Sequence, residues 1–313
     1  MTRIVRYTPG SSSIGAATVA LGVFDGVHLG HQALVRDTIA FAREAHVASC
    51  VVTFDRDPDR VVDPAHAAPQ LLSLDDKVAL LGELEPDNLV VIPFDIALAS
   101  LTPEQFLSGV LLDAVVPTLC VVGHDFRFGN AARGHVSTLK AFGAEHGFGV
   151  HAHELVQFEG RPVTSSRIRE TVAGGDVVAA ARMLGRPHRL HGRVVRGKGL
   201  GRRLGAPTAN LHVEHGSAVP AAGIYAASAT VRAESYAAAV FIGSPPMSSD
   251  AAEPTIEAHL VGYEGDLYAA TLRIDFIKRL RDERHFDSND ALAAQIRQDI
   301  AQVLRVVGAT DPQ

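Results

Sequence analysis

The spacing of apolar residues changes once along this chain, near residue 186, and that change constrains the fold more than any single motif. Before it, short apolar runs at 18–24, 48–54, 89–94, 118–123 and 148–156 alternate with segments of helical period. Strands separated by helices predict a mostly parallel, doubly wound α/β sheet, and unbroken apolar strands suit a sheet covered on both faces. Over residues 188–280 the helical segments vanish. GIYAASATV, YAAAVFIG, IEAHLVGY and DLYAATLRIDF follow one another across glycine turns, which predicts an antiparallel sheet or small barrel. One amphipathic helix over 290–307 closes the sequence. A length of 313 residues fits two ordinary domains, read here as 1–186 and 187–313.

Local signals support these elements. Leu34, Thr38, Ala42 and Ala45 share one face of a helix predicted over 31–45. Ser73 opens another over 73–84. Thr102, Pro103 and Gln105 supply an N-cap, an N1 proline and a capping-box partner. Two short helices over 165–187 break at Gly174-Gly175; Asp176 caps the second, and Gly185 with Pro187 ends it.

Composition narrows the function classes. Lys and Arg total 29 against 35 Asp and Glu, a net charge of −6, so no basic excess points to nucleic acid. No apolar run approaches the roughly 18 residues of a spanning helix. MTRIVRYTPG has no apolar leader. The expectation is a cytoplasmic protein with neither nucleic acid nor membrane as a partner. Cys50 and Cys120 sit in apolar runs and are expected to be buried thiols.

The chemistry is expected at the carboxyl ends of the strands. LGVFDGVHLGHQALV (21–35) places His28 and His31 around Gly30 where a helix begins. Unpaired amides and a partial positive charge make such a helix start an anion site. Metal binding by this pair has weaker support, since neither a Cys/His cluster nor H-E-x-x-H is present. Asp125, Arg127 and Arg133, after the fourth run, are either functional or an ordinary solvated turn. Thr164, Ser165 and Ser166 precede Arg167 and Arg169. Cations in a first helical turn are unfavourable unless an anion docks there, although Ser165 or Ser166 could simply cap.

In the second half, GRVVRGKG (192–199) imitates a P-loop, but Gly199 stands where Ser or Thr is needed and no helix follows. Gly197, Gly199, Gly201 and Gly205, with Arg196, Lys198, Arg202 and Arg203, still form a basic loop able to wrap phosphates. It leads to Pro207-Thr208-Ala209-Asn210. Thr208 and Asn210 alternate, so an extended chain turns their oxygens to one side, as Mg²⁺ on a nucleotide requires. Glu257 lies in an apolar strand, either as a general base or on an outward face.

Together, GVFDGVHLGHQ, LASLTPEQFL, VVGHDFRFG, VTSSRIR, GDVVAAARMLGRP, LGAPTANL, PAAGIYA, EAHLVGYEGDLY, LRDERHFDS and ALAAQIRQDI resemble the bifunctional bacterial riboflavin kinase/FAD synthetase family over almost the whole chain. The resemblance implies a Rossmann-like nucleotidyltransferase domain followed by a small β-barrel kinase domain with a long helix. It implies that riboflavin becomes FMN, and FMN becomes FAD, at the expense of ATP with Mg²⁺, in a monomer or weak homo-oligomer. His28 and His31 would act on ATP phosphates, with Gly22, Phe24, Asp25, Gly30, Ser165, Ser166 and Arg169 around the nucleotide. Phe54, Asp125, Phe126 and Arg127 would face the flavin. Gly197, Gly199, Gly205 and Pro207 would hold the second ATP, Thr208 and Asn210 its Mg²⁺, and Glu257 would activate the ribityl hydroxyl. The chain departs from the family pattern at Asp57, where a histidine is usual, at Ala206 in place of Phe, and at Ser244-Pro245-Pro246-Met247. The last departure leaves open an alternative in which only FAD synthesis persists and the second domain merely binds flavin.

Overall fold

A computed structural model describes residues 1–10, 14–197, 201, 205–244 and 254–309. Gly199, Lys198, Arg202, Arg203, Pro245, Pro246 and Met247 lie outside the described residues. Chain contacts divide the molecule into two compact units, Met1–Ser165 and Ser166–Gln313.

The first unit is a parallel sheet of six strands: β1 (Arg3–Arg6), β2 (Ile14–Leu21), β3 (Ala48–Phe54), β4 (Asn88–Ile92), β5 (Val115–Gly123) and β6 (Gly149–His153). Their order is β1-β4-β3-β2-β5-β6. Period-two alternation splits the strand residues between two cores. Val19, Leu21, Cys50 and Val52 pack with Phe106, Leu139 and Phe142 on one face. Ala20, Val51, Leu89 and Val91 pack with Leu34, Val35 and Leu81 on the other. Helices therefore cover both faces, which is why the strands read as unbroken apolar runs. Burial pushes the thiols of Cys50 and Cys120 up to about 12, and both are free.

The chain runs from β2 outward through β3 to β4, then returns to β5 on the other side of β2. The carboxyl ends of β2 and β5 therefore flank the switch point where such sheets bind ligands. Strand β2, expected from the run 18–24, ends at Leu21 and not at residue 24, because Phe24 takes φ 56 and leaves the sheet. The helix α1 (Leu29–Glu44) follows. Ser73 caps the helix Leu74–Gly82, and Thr102 with Gln105 forms the expected capping box. The edge strand β1, paired parallel with β4, is too short and too polar to stand out in the sequence. The same holds for the hairpin of β7 (Gln157–Phe158) and β8 (Arg161–Pro162).

Two helices precede the barrel: Ser165–Ala173, which begins on the last residue of the first unit, and Val177–Leu184; Asp176 caps the second and Gly185 ends it at φ 75. Six antiparallel strands follow: β9 (His188–Val195), β10 (Ala209–Val213), β11 (Gly223–Val231), β12 (Glu234–Gly243), β13 (Thr255–Leu260) and β14 (Thr271–Arg281). They close in the order β10-β13-β12-β11-β14-β9, and β9 pairs back to β10, so no edge is left open. Leu190, Val194, Leu211, Val240, Ile256 and Ile274 fill the interior. The terminal helix Asn289–Gly308 packs on β11, β12 and β14. It is anchored by a buried fork, in which Arg281 Nε and Nη2 donate to the Asp299 carboxylate at 3.0 and 2.7 Å.

One barrel residue makes stability depend on pH. His188 is buried on β9, its Nε2 donating to the Ala218 carbonyl at 2.7 Å, and burial lowers it to about 4. An unfolded histidine titrates near 6.5. Between these values the unfolded chain holds a proton that the folded chain refuses. Stability is therefore lost as pH falls through that window and is untouched above it. On moving from pH 7 to pH 5, the wild type is expected to lose about 2 kcal/mol more than His188→Gln, read by urea unfolding. Equal losses would show that His188 does not titrate in this range.

Candidate active sites

In the first unit, the turn from β2 to α1 is held in an unusual backbone shape. Phe24, Gly26 and Val27 all have positive φ, 56, 84 and 39. A β-branched residue there is strained and persists only when its surroundings fix it. Phe24 and Val27 are buried, and the Asp25 carboxylate accepts the Leu71 amide at 3.1 Å. Ser165 Oγ donates to the Asp25 carbonyl at 2.8 Å.

This turn delivers His28 as the N-cap of α1. Its Nδ1 accepts the His31 amide at 3.3 Å, so the ring proton of neutral His28 sits on Nε2. The two imidazoles stack at 3.5 Å, and Phe24 meets His31 edge-on at 5.2 Å. Burial holds His31 well below the ordinary histidine range, helped by His28 and by the Lys77 ammonium. His31 Nδ1 is buried with no hydrogen-bond partner. Gly30 lets the ring sit this close: a Cβ there would lie 3.1 Å from His28 Cε1, and the ring would have to give way by a few tenths of an ångström. Gly22 lies equally close under the Phe24 ring.

Beside the turn is a cavity of about 360 Å³ lined by Val23, Phe54, Phe94, Phe106, Phe126, Arg127 and Phe128, among others. The phenyl rings of 54 and 94 meet edge to face at 5.4 Å, and those of 126 and 128 stack at 5.5 Å. Such a wall suits a planar aromatic ligand. Phe54, Phe126 and Arg127 thus stand together. Asp125 does not line this cavity; it is exposed at the end of β5, close to Gly123. Ser166 and Arg169 follow Ser165 in its helix, on the other side of the contact division. Sequence reasoning passed over Phe94, Phe106 and Lys77, because each sits in a segment read simply as strand or helix.

In the second unit, two cavities meet at one side chain. The larger, about 480 Å³, is lined by Gly197, Pro207, Thr208, Asn210, Tyr263 and Tyr268, among others. The smaller, about 270 Å³, lies against the terminal helix and includes Thr208, Phe241, Glu257, Phe286 and Ile296. Thr208 borders both, and its hydroxyl donates to Glu257 Oε2 at 2.7 Å. Asn210 pairs opposite Glu257 across β10 and β13. Its amide packs so closely on Gly197 that no Cβ fits there. Gly205 turns at φ 81, and the Pro207 carbonyl accepts His259 Nδ1 at 2.9 Å. Among the described residues no cluster of three or more His, Cys, Asp or Glu is arranged to hold a metal.

Comparison with known proteins assigns both halves. A family model described as FAD synthetase matches residues 11–167, and one described as riboflavin kinase matches 184–307. A bifunctional riboflavin kinase/FMN adenylyltransferase of Pseudomonas fluorescens is 36% identical, over 90% of each chain. Its Bacillus subtilis counterpart is 32% identical, over 92% of each chain. A crystal structure from Streptococcus pneumoniae, described as a macrolide-efflux protein, is 28% identical with a TM-score of 0.84, over 96% of this chain and 98% of that one. Among the described residues no helix here is long and apolar enough to cross a membrane.

The Gly30 contact yields a test. Gly30→Ala is expected to leave folding intact, since Ala favours helix, while displacing the His28 ring. If His28 donates to a triphosphate, losing that bond of about 1 kcal/mol would weaken triphosphate binding about fivefold by calorimetry. Unchanged affinity would remove His28 from the anion site.

Proposed function

The chain belongs to the bifunctional riboflavin kinase/FMN adenylyltransferase family, and from that premise we propose how its residues divide two reactions. A FAD synthetase domain and a riboflavin kinase domain are both present. What carries the reading is that each matched stretch has its own cavity beside its own polar group: His28 and His31 in one, Glu257 in the other. We assign adenylyl transfer to residues 1–186 and phosphorylation to 187–313. The kinase match over 184–307 and the Thr208–Glu257 bond favour the bifunctional enzyme over one confined to FAD synthesis.

In the kinase reaction, the smaller cavity takes riboflavin and the larger takes ATP. Glu257 accepts the proton of the terminal ribityl hydroxyl, whose oxygen bonds to the γ-phosphorus as the bond to the bridging oxygen breaks and ADP departs. Thr208 and Asn210 offer neutral oxygens on the nucleotide side, a donor set that suits Mg²⁺ when phosphates complete its shell. Bound there, Mg²⁺ would offset charge on the transferring phosphoryl group.

In the second reaction, an FMN phosphate oxygen attacks the α-phosphorus of ATP and pyrophosphate leaves. The aromatic cavity receives the flavin ring, with Arg127 at its rim. The α1 amides, His28 and His31 donate to ATP phosphate oxygens, with Ser165, bonded to the turn, assisting. We further infer a cytoplasmic monomer or weak homo-oligomer that acts on small molecules, with neither nucleic acid nor membrane as a partner.

Each assignment has its own assay within one chain. His28→Ala and His31→Ala are expected to cut FAD formation from FMN by about 10²-fold or more and to spare FMN formation from riboflavin. Glu257→Ala is expected to do the reverse. Wild-type rates in these variants, measured by flavin chromatography, would reject the corresponding role.

A further inference from the structure

Lys77 has no role in either reaction as described, yet it is among the least exposed charged residues of the first unit. It lies in the helix Leu74–Gly82 and is 4% exposed. Its Nζ donates to the Phe54 carbonyl at 2.8 Å and to the Val23 carbonyl at 3.2 Å. Burying an ammonium costs several kcal/mol even after relaxation. The nearby carboxylates of Asp57, Asp25 and Asp55 offset part of that cost. An apolar side chain would join the helix to the sheet more cheaply, so packing alone does not explain a lysine here.

The two carbonyls it holds are particular ones. Phe54 ends β3, and Val23 immediately precedes the positive-φ turn that delivers His28. Both residues line the aromatic cavity. The Val23 carbonyl also accepts Thr53 Oγ1 at 3.0 Å, so both of its lone pairs are engaged. Lys77 thus grips the strip of backbone between the aromatic cavity and the histidine pair. In-line attack needs the reacting atoms aligned at about 3–3.5 Å, so the backbone that carries the two groups must be held still.

We propose that Lys77 is a positioning residue for adenylyl transfer: by pinning the carbonyls of Val23 and Phe54, it fixes the flavin cavity relative to His28 and His31. The proposal rests on the reading of the first unit as the FMN adenylyltransferase. The Asp57 carboxylate belongs to the same device as a counter-charge for the ammonium, at the position where the family usually has histidine.

The test uses the full chain with Lys77→Met, which keeps the length of the side chain and removes its donors. The expected result is a fall of about 10- to 100-fold in kcat for FAD formation, with KM for FMN and ATP changed less than about threefold. Riboflavin phosphorylation in the same preparation should be unchanged. FAD formation within about twofold of wild type overturns the proposal. Equal loss of both reactions also overturns it, since it would make Lys77 a global stabiliser. If Lys77→Met does not fold, Thr53→Val probes the same carbonyl, with kcat expected to fall about three- to tenfold and an unchanged kcat overturning the proposal. A wild-type chain that makes no FAD from FMN would instead reject the underlying reading.

Discussion

How β2 leaves its sheet governs the first unit. The strand must give way within seven residues to a helix whose first amides point at the switch point, and only a run of positive φ makes that turn. The strain at Phe24 and Val27 is held by burial, by the Asp25–Leu71 bond and by the Thr53 and Lys77 bonds to Val23. What is gained is an imidazole at an N-cap where Ser, Thr, Asp or Asn would bind more simply. An N-cap serine would satisfy the helix equally well but would place no second donor beside it. In the role proposed for it, the cap would serve the nucleotide as well as the helix.

The barrel solves a different problem. A closed six-stranded sheet has no switch point, so its site forms where neighbouring strands carry functional groups on a shared wall. Asn210 on β10 lies opposite Glu257 on β13, and Thr208, one residue before β10, reaches across to the carboxylate. The terminal helix then converts an open flank into a cavity, and the Arg281–Asp299 fork keeps it in place. Asp299 also accepts Gln295 Nε2 at 2.9 Å, so the buried charges are neutralised by groups already in contact.

Most of this architecture was legible in the sequence, because it follows from spacing. Alternating periods gave the doubly wound sheet, and clustered glycine turns gave the barrel. Thr102 and Asp176 cap where their residue types require. The histidine pair stood out because two imidazoles around a glycine are unusual at a helix start, and both rings do meet at the start of α1. What escaped notice depends on contacts between distant segments. Phe94 and Phe106 join Phe54 only once β3, β4 and the following helix are assembled. Lys77 read as an ordinary helical charge beside Asp75 and Asp76, since nothing in SLDDKVALL reveals that its ammonium reaches carbonyls at 23 and 54. The end of β2 was misread for a similar reason: Val23 and Phe24 are apolar, but they continue the core through a turn and not through a strand.

The two sites also differ in one chemical respect that matches the two nucleophiles assigned to them. A hydroxyl must lose a proton as it attacks phosphorus, and the barrel site has a carboxylate at hand to accept it. A phosphate monoester is already anionic at neutral pH and needs no base. Its difficulty is repulsion, because one anion must approach another. The first site accordingly presents donors: helix amides, two imidazoles and a flanking arginine. Its carboxylates are otherwise engaged, Asp25 with the Leu71 amide, and Asp25, Asp55 and Asp57 around the Lys77 ammonium. Burial, His28 and the Lys77 ammonium all hold His31 well below the ordinary histidine range.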